Sequence, residues 1–178
     1  MQSPPPKKAI LAAREAQRHS NAGNNAKAIE KLRLALEIHP DFAEARTNLG
    51  VQYIRTRQFE SALAELNEAN RLQPGSAVVL ANLSYALFST GQSEKAEDAA
   101  RRAVELDGNN VNARYLFGFI LSMRGSNTRD AISNLKMACD EVPKARLALA
   151  QFYARLGNRA AAEEELNRYL AHAKGDEK

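Results

Sequence analysis

A spacing of 34 residues recurs along this 178-residue chain: Ala28, Ala62 and Ala96 follow it, as do Ala35, Ala69 and Ala103, and Pro40 is followed by Pro74. A repeat of this length is one supersecondary unit with an apolar face that it cannot bury alone. Neighbouring units must therefore stack into a continuous core, and about five of them fit the chain. Function is then expected on the surface of an elongated body and not in an enclosed pocket.

Within a unit the apolar pattern is helical. Leu49, Gly50 and Tyr53 share one face, while Ala62, Leu66 and Ala69, spaced by three or four residues, share another. Between them Thr56-Arg57-Gln58 is a short polar turn, so the unit is a helix hairpin. The first unit reads through Gly23, Ala28, Leu32, Ala35 and Pro40, with its opening helix predicted over Lys7 to Asn21. The third reads through Leu83-Ser84, Gly91, Ala96, Ala100 and Ala103, and the fourth through Phe117-Gly118, Leu121, Gly125, Ala131, Leu135 and Ala138. The fifth reads through Leu149-Ala150, Tyr153, Gly157, Ala162, Leu166 and Tyr169.

Departures from the period are equally readable. Gly125 and Ala131 are six apart where Gly91 and Ala96 are five apart, which places one inserted residue in that turn. Ala138 to Leu149 is 11 residues where Ala103 to Phe117 is 14, which predicts a shortened turn between the last two units. Asp41, Ser76 and Ser93 are the expected helix N-caps. The expected layout is a Pro-rich disordered tail or linker at 1–8, repeats at about 9–42, 43–76, 77–110, 111–142 and 143–173, and a polar tail at 174–178. The last helix sets Glu163, Glu164 and Arg168 opposite Ala162, Leu166, Tyr169 and Leu170. It is expected to close the stack by itself, with Glu163-Glu164-Glu165 as a solvated face.

Composition narrows the function. The longest apolar stretch, Leu116 to Met123, is far short of the roughly 20 residues that cross a bilayer, so membrane insertion is not expected. Cys139 is the only cysteine, which rules out an internal disulfide framework. His19, His39 and His172 fall in different repeats and no Gly-rich phosphate loop is present, so no catalytic site, metal or cofactor is expected. The net charge is +4, but Lys and Arg are dispersed instead of forming a stripe, and nucleic acid is not the expected partner. With Met1 as the native start the chain is expected to be soluble and cytoplasmic, whereas a longer precursor would allow export.

Leu49, Gly50, Tyr53, Ala62 and Pro74 resemble the tetratricopeptide repeat, whose pattern runs W-x2-L-G-x2-Y, then A-x3-F, then P. Arg46 stands where that pattern has Trp, and Leu66 where it has Phe. The resemblance implies an all-α fold, a right-handed α-solenoid of five stacked helix-turn-helix repeats, with the first helix of each hairpin lining a concave face. It also implies a non-catalytic adaptor or scaffold that binds a peptide segment of a partner protein in that groove. Carried through the register, the groove residues are Asn48, Val51, Ile54 and Arg55 of the second unit, and Asn82, Tyr85 and Phe88 of the third. The fourth supplies Asn112, Tyr115, Phe119 and Met123. Thr47 and Ser122 are expected on the same face. Tyr85, Phe88, Tyr115 and Phe119 are the expected anchors, with gap-filling between adjacent first helices as the alternative role. Asn48 and Asn82 share a register in which amides would hold an extended backbone, or serve the helix hairpin itself. Arg14, Arg55, Lys144 and Arg155 are expected to border the groove and favour an acidic partner. The carboxylate clamp of chaperone-binding relatives is not expected, since the matching positions Ala13, Gln17, Asn48, Val78 and Asn82 carry no positive charge. The alternative function is self-assembly, or a regulatory module of a larger, envelope-associated protein, with Pro4 to Pro6 docked in a neighbour's groove.

Overall fold

The computed structural model describes residues 3–175, which form ten helices and no strand among them. These are α1 (Lys7–Asn21), α2 (Asn25–Ile38), α3 (Ala43–Arg55), α4 (Phe59–Leu72) and α5 (Ala77–Ser89). They continue with α6 (Ser93–Leu106), α7 (Val111–Arg124), α8 (Thr128–Ala138), α9 (Pro143–Arg155) and α10 (Arg159–Gly175). Each odd helix pairs with the even helix after it, and each even helix packs on the next odd one, so the chain is an all-α solenoid. The first helices α3, α5, α7 and α9 also touch in succession and form one row. Helix α1 begins at Lys7, two residues before the predicted repeat boundary, and α10 runs to Gly175. Residues 1–2 and 176–178 of the two predicted tails lie outside the described residues.

The 34-residue spacing is the packing lattice of this stack. Ala28, Ala62, Ala96 and Ala131, like Ala35, Ala69, Ala103 and Ala138, are all 0% exposed, because only a methyl group fits where the helices come closest. Gly50 and Gly118 serve the same end. An added Cβ at Gly50 would lie 2.6 Å from Leu66 Cγ, and one at Gly118 would lie 2.9 Å from the backbone nitrogen of Leu135. In the third hairpin Ser84 replaces the glycine and Ala100 stands in the register of Leu66, so a larger residue on one helix meets a smaller one on the other. Ser84 is fully buried and its hydroxyl donates to the carbonyl of Ala81 at 2.7 Å.

Arginine at the Trp position ties the two helices of a hairpin together. Arg46 Nη1 donates to Glu65 Oε2 at 2.7 Å and its Nε to the Pro40 carbonyl at 3.0 Å. In the same register Arg114 reaches Asn134 Oδ1 at 3.1 Å and the Gly108 carbonyl. Arg146 reaches Glu165 at 3.4 Å and Asp140 at 2.7 Å. The guanidinium has several N–H donors and reaches a loop acceptor and a side chain of the second helix at once, whereas an indole has a single donor. The third hairpin has Leu80 at this position with Ala99 across from it, both buried, and lacks the clasp.

Several sequence expectations are corrected. The loops between hairpins, 39–42, 73–76, 107–110 and 139–142, are equally long. The missing residues after Ala138 come out of α8, which has 11 residues where α2, α4 and α6 have 14. The helix is truncated and the turn keeps its length. The insertion after Gly125 lies at Ser126-Asn127, where Asn127 takes φ 42° and caps α8 by accepting from Asp130 N. Ser76 caps α5, but Asp41 precedes the cap residue Phe42, and Ser93 is already the first residue of α6. Asparagine does most of this work: Asn24, Asn110 and Asn158 accept from Lys27 N, Ala113 N and Ala161 N.

The last helix also differs from expectation. Glu165 is 6% exposed and lies between Arg146 and Arg168, at 3.4 and 3.7 Å, so the carboxylate run is not uniformly solvated. Leu166 and Leu170 are 41% and 46% exposed, so the face expected to close the stack is open. The core divides near the same place. One cluster of buried residues runs from α1 into α7 with Ala131 and Phe152, and a second holds Leu135, Ala138, Cys139, Ala145, Ala148 and Leu149. Burial in that second cluster pushes the Cys139 thiol up to about 11, well outside the range of a reactive thiolate.

Candidate functional site

Every turn inside a hairpin has a left-handed residue at one register position. Four of the five are glycines, Gly23, Gly91, Gly125 and Gly157, at φ 73°, 79°, 69° and 77°. The fifth is Arg57, at φ 59°. Its turn adjoins a hollow of about 600 Å³ on the row of first helices.

The walls of the hollow come from three successive hairpins and the start of a fourth. Helix α3 supplies Val51, Ile54 and Arg55, and the turn after it supplies Arg57 and then Phe59. Helix α5 supplies Val78, Ala81, Asn82 and Tyr85, while Asn110, Asn112, Tyr115 and Leu116 come from the start of α7. Lys144, in the first turn of α9, completes the set. The floor is therefore aliphatic and aromatic, with amides between. The charged residues lining it are Arg55, Arg57 and Lys144, and among the described residues no Asp or Glu lines it.

The aromatic residues divide into two groups. Tyr85 and Tyr115 face the hollow, and burial followed by the neighbouring Tyr85 phenol raises the Tyr115 hydroxyl above its ordinary pKa. Phe88 and Phe119 do not line it. They are half-buried against the core and meet edge to face with ring centres 5.6 Å apart, filling the seam between α5 and α7. Tyr115 leans on the inner ring of Phe119 at 6.0 Å, and Tyr85 meets Phe59, which also lines the hollow, edge-on at 6.3 Å.

The amides divide similarly. Asn82 and Asn112 line the hollow, with the Asn82 amide nitrogen donating to the Val78 carbonyl of its own helix at 2.9 Å. Asn48 lies elsewhere, in a smaller hollow of about 330 Å³ with Pro5, Ile10, Arg14, Phe42 and Glu44. Pro5 is thus seated against its own chain at the first hairpin. Thr47 and Ser122 are buried at 8% and 2% exposure, each hydroxyl donating to its own helix.

Arg55 and Arg155 also brace neighbouring hairpins. Arg55 Nη1 donates to Ser20 Oγ at 2.7 Å, and in the same register of the fifth hairpin Arg155 Nη2 donates to the Ser122 carbonyl at 2.8 Å. Met123 is exposed beside Arg155, with its sulfur 3.8 Å from Nη1. Arg57, Phe59 and Asn110 were not among the expected groove residues. For Arg57 the sequence held a signal, an arginine in a register otherwise filled by glycine. Asn110 has the more local task of capping α7.

Among the described residues no three of His, Cys, Asp and Glu converge as a metal site, and no helix is long and apolar enough to cross a membrane. Sequence models of the tetratricopeptide repeat match residues 21–83, 77–110 and 143–168. The small glutamine-rich tetratricopeptide repeat-containing protein 2 of Mycosarcoma maydis is 27% identical over 96 residues, 54% of this chain and 27% of that protein. The chain covers 27% and 26% of the lengths of two curated relatives that it matches. Among solved structures, TTC0263, a thermophilic TPR protein of Thermus thermophilus, superposes with a TM-score of 0.81 at 20% identity, covering 94% of this chain and 93% of that one. YrrB, described as a TPR protein with an unusual peptide-binding site, gives a TM-score of 0.66 at 25% identity, covering 92% and 85%.

Proposed function

The chain belongs to the tetratricopeptide-repeat family, and from that premise we propose that it is a non-catalytic adaptor whose concave hollow takes an extended segment of a partner protein. The observation that carries this reading is the hollow itself, with Val51, Ile54, Tyr85, Tyr115 and Leu116 presented across three hairpins and Asn82 and Asn112 between them. An open apolar surface of this kind is costly to expose unless a ligand covers it. Aromatic anchors contribute about 2 kcal/mol or more each and a net hydrogen bond about 1 kcal/mol, so the tyrosines set affinity and the amides set register. The structural likeness to a protein described by its peptide-binding site supports the same reading.

Selection of a random dodecapeptide display library on the full chain tests it. Peptides that bind the wild type are expected to lose at least about thirtyfold in affinity on the folded double variant Tyr85→Ala, Tyr115→Ala. Unchanged affinity, or a selection that yields no binder, overturns the groove as the site.

A second reading, self-association, is favoured by the open face at the end of the stack, where Leu156, Leu166 and Leu170 are 47%, 41% and 46% exposed. A second copy would cover it in an isologous pairing. Sedimentation of the wild type and of Leu166→Glu separates the outcomes: a dimer abolished by the charge supports the pairing, and a monomer in both samples refutes it.

A further inference from the structure

Arg57 occupies a backbone conformation that side chains other than glycine rarely adopt, in the one hairpin whose turn adjoins the hollow's wall. The equivalent turns use Gly23, Gly91, Gly125 and Gly157, so a glycine would serve the turn better than arginine does. A local rule broken at one repeat and kept at four points to a task for the side chain beyond the fold. That side chain lines the hollow beside Arg55, with Lys144 contributed from the fifth hairpin.

The three cations have no countercharge among the described residues. No carboxylate lines the hollow, and none of the three takes part in an ion pair there. Arg55 has one nitrogen on Ser20 Oγ. The three side chains are exposed, and like charges gathered around one concave surface raise the local potential and draw an anion to it. Their positions differ from those of the carboxylate clamp, which are uncharged here.

We infer that Arg57 is a specificity-determining residue, which with Arg55 and Lys144 selects a ligand segment carrying carboxylates between apolar residues, an acidic stretch of a partner protein. This rests on the groove reading above. A peptide suits the site better than a nucleic acid does, because Val51, Ile54, Val78 and Leu116 form an aliphatic wall with nothing to offer a sugar-phosphate chain.

The test uses the same dodecapeptide library on the wild-type chain and on Arg57→Gly, with affinities of the selected peptides read by fluorescence anisotropy at low and high salt. Wild-type selections are expected to be enriched in Asp and Glu. Their affinity should fall about fivefold or more on Arg57→Gly and fall with salt, as loss of one charge-assisted contact implies. Arg57→Lys should keep most of the acidic bias. Arg57→Gly should also melt roughly 2–4 °C higher, since glycine relieves the turn. Peptides enriched without acidic bias, yet lost on Tyr85→Ala, Tyr115→Ala, would leave the groove reading standing and defeat this inference. No enriched peptide at all would defeat both. A dodecathymidine oligonucleotide bound as tightly as the best peptide, and released by Arg57→Gly, would overturn the acidic-peptide assignment in favour of nucleic acid. An unchanged or lower melting point would show that the arginine serves the turn itself.

Discussion

The second and fifth hairpins repeat many of the same residues 100 positions apart: Arg46 and Arg146, Leu49 and Leu149, Tyr53 and Tyr153, Arg55 and Arg155, Glu65 and Glu165, Leu66 and Leu166. Leu49 and Leu149 are both buried, and the Arg-Glu clasp forms in both hairpins. Yet Leu66 is 0% exposed and Leu166 is 41% exposed. The difference lies in what stands over them. Helix α5 packs on α4, whereas no described helix packs on the outer side of α10. Contacts inside a hairpin survive at the end of the stack, and contacts supplied by the next hairpin do not. Burial in a solenoid is thus a property of the neighbour as much as of the residue.

Paired substitutions can break or sharpen this comparison. The largest difference is expected between Leu66→Ala, which empties a fully buried site at a cost of about 3–5 kcal/mol, and Leu166→Ala, which should cost about 1 kcal/mol. Urea unfolding of the two variants measures it. Equal losses would mean that the outer face of α10 is covered in solution, and would point to the self-associated form. A smaller contrast is expected on the facing helices. Gly50→Ala would drive a Cβ into Leu66, which α5 holds in place, and should cost about 1–3 kcal/mol. The fifth hairpin already carries Ala150 at that position, opposite a Leu166 with room to move, so Ala150→Gly should change stability by no more than about 1 kcal/mol. Melting curves that show Gly50→Ala to be harmless would remove close helix approach as the reason for that glycine.

Much of the fold was legible because the spacing of 34 is itself a packing distance. A residue that must be small in one hairpin must be small in the next, so Ala28, Ala62 and Ala96 announce the lattice without any knowledge of contacts. The helix caps were less legible. Whether Asp41 or Phe42 is the N-cap turns on a shift of one residue in the helix start, and a repeat ruler does not resolve that. Glu165 read as one of three like neighbours, since nothing local reveals that Arg146, 19 positions earlier, turns back across the hairpin to meet it.

The candidate site was legible by row and not by residue. Tyr85, Tyr115, Val51, Ile54, Arg55, Asn82 and Asn112 line the hollow from the helices that the register assigned to the concave face. Phe88 and Phe119 share that register, but they turn into the seam between α5 and α7, because two large rings there fill space that the helix backbones leave open. Asn48 belongs to a separate hollow at the first hairpin.

By itself, the sequence determined that helix hairpins stack, where one residue is inserted, and that Arg57 occupies a glycine's place, because each follows from spacing along the chain. Only the tertiary structure decided that α8 gives up residues while its loop keeps its length, that Leu166 stays open, and that Arg55, Arg57 and Lys144 meet around one hollow that no described Asp or Glu lines. Those outcomes depend on which surfaces face each other across hairpins, and a one-dimensional period carries no information about the space between its own repeats.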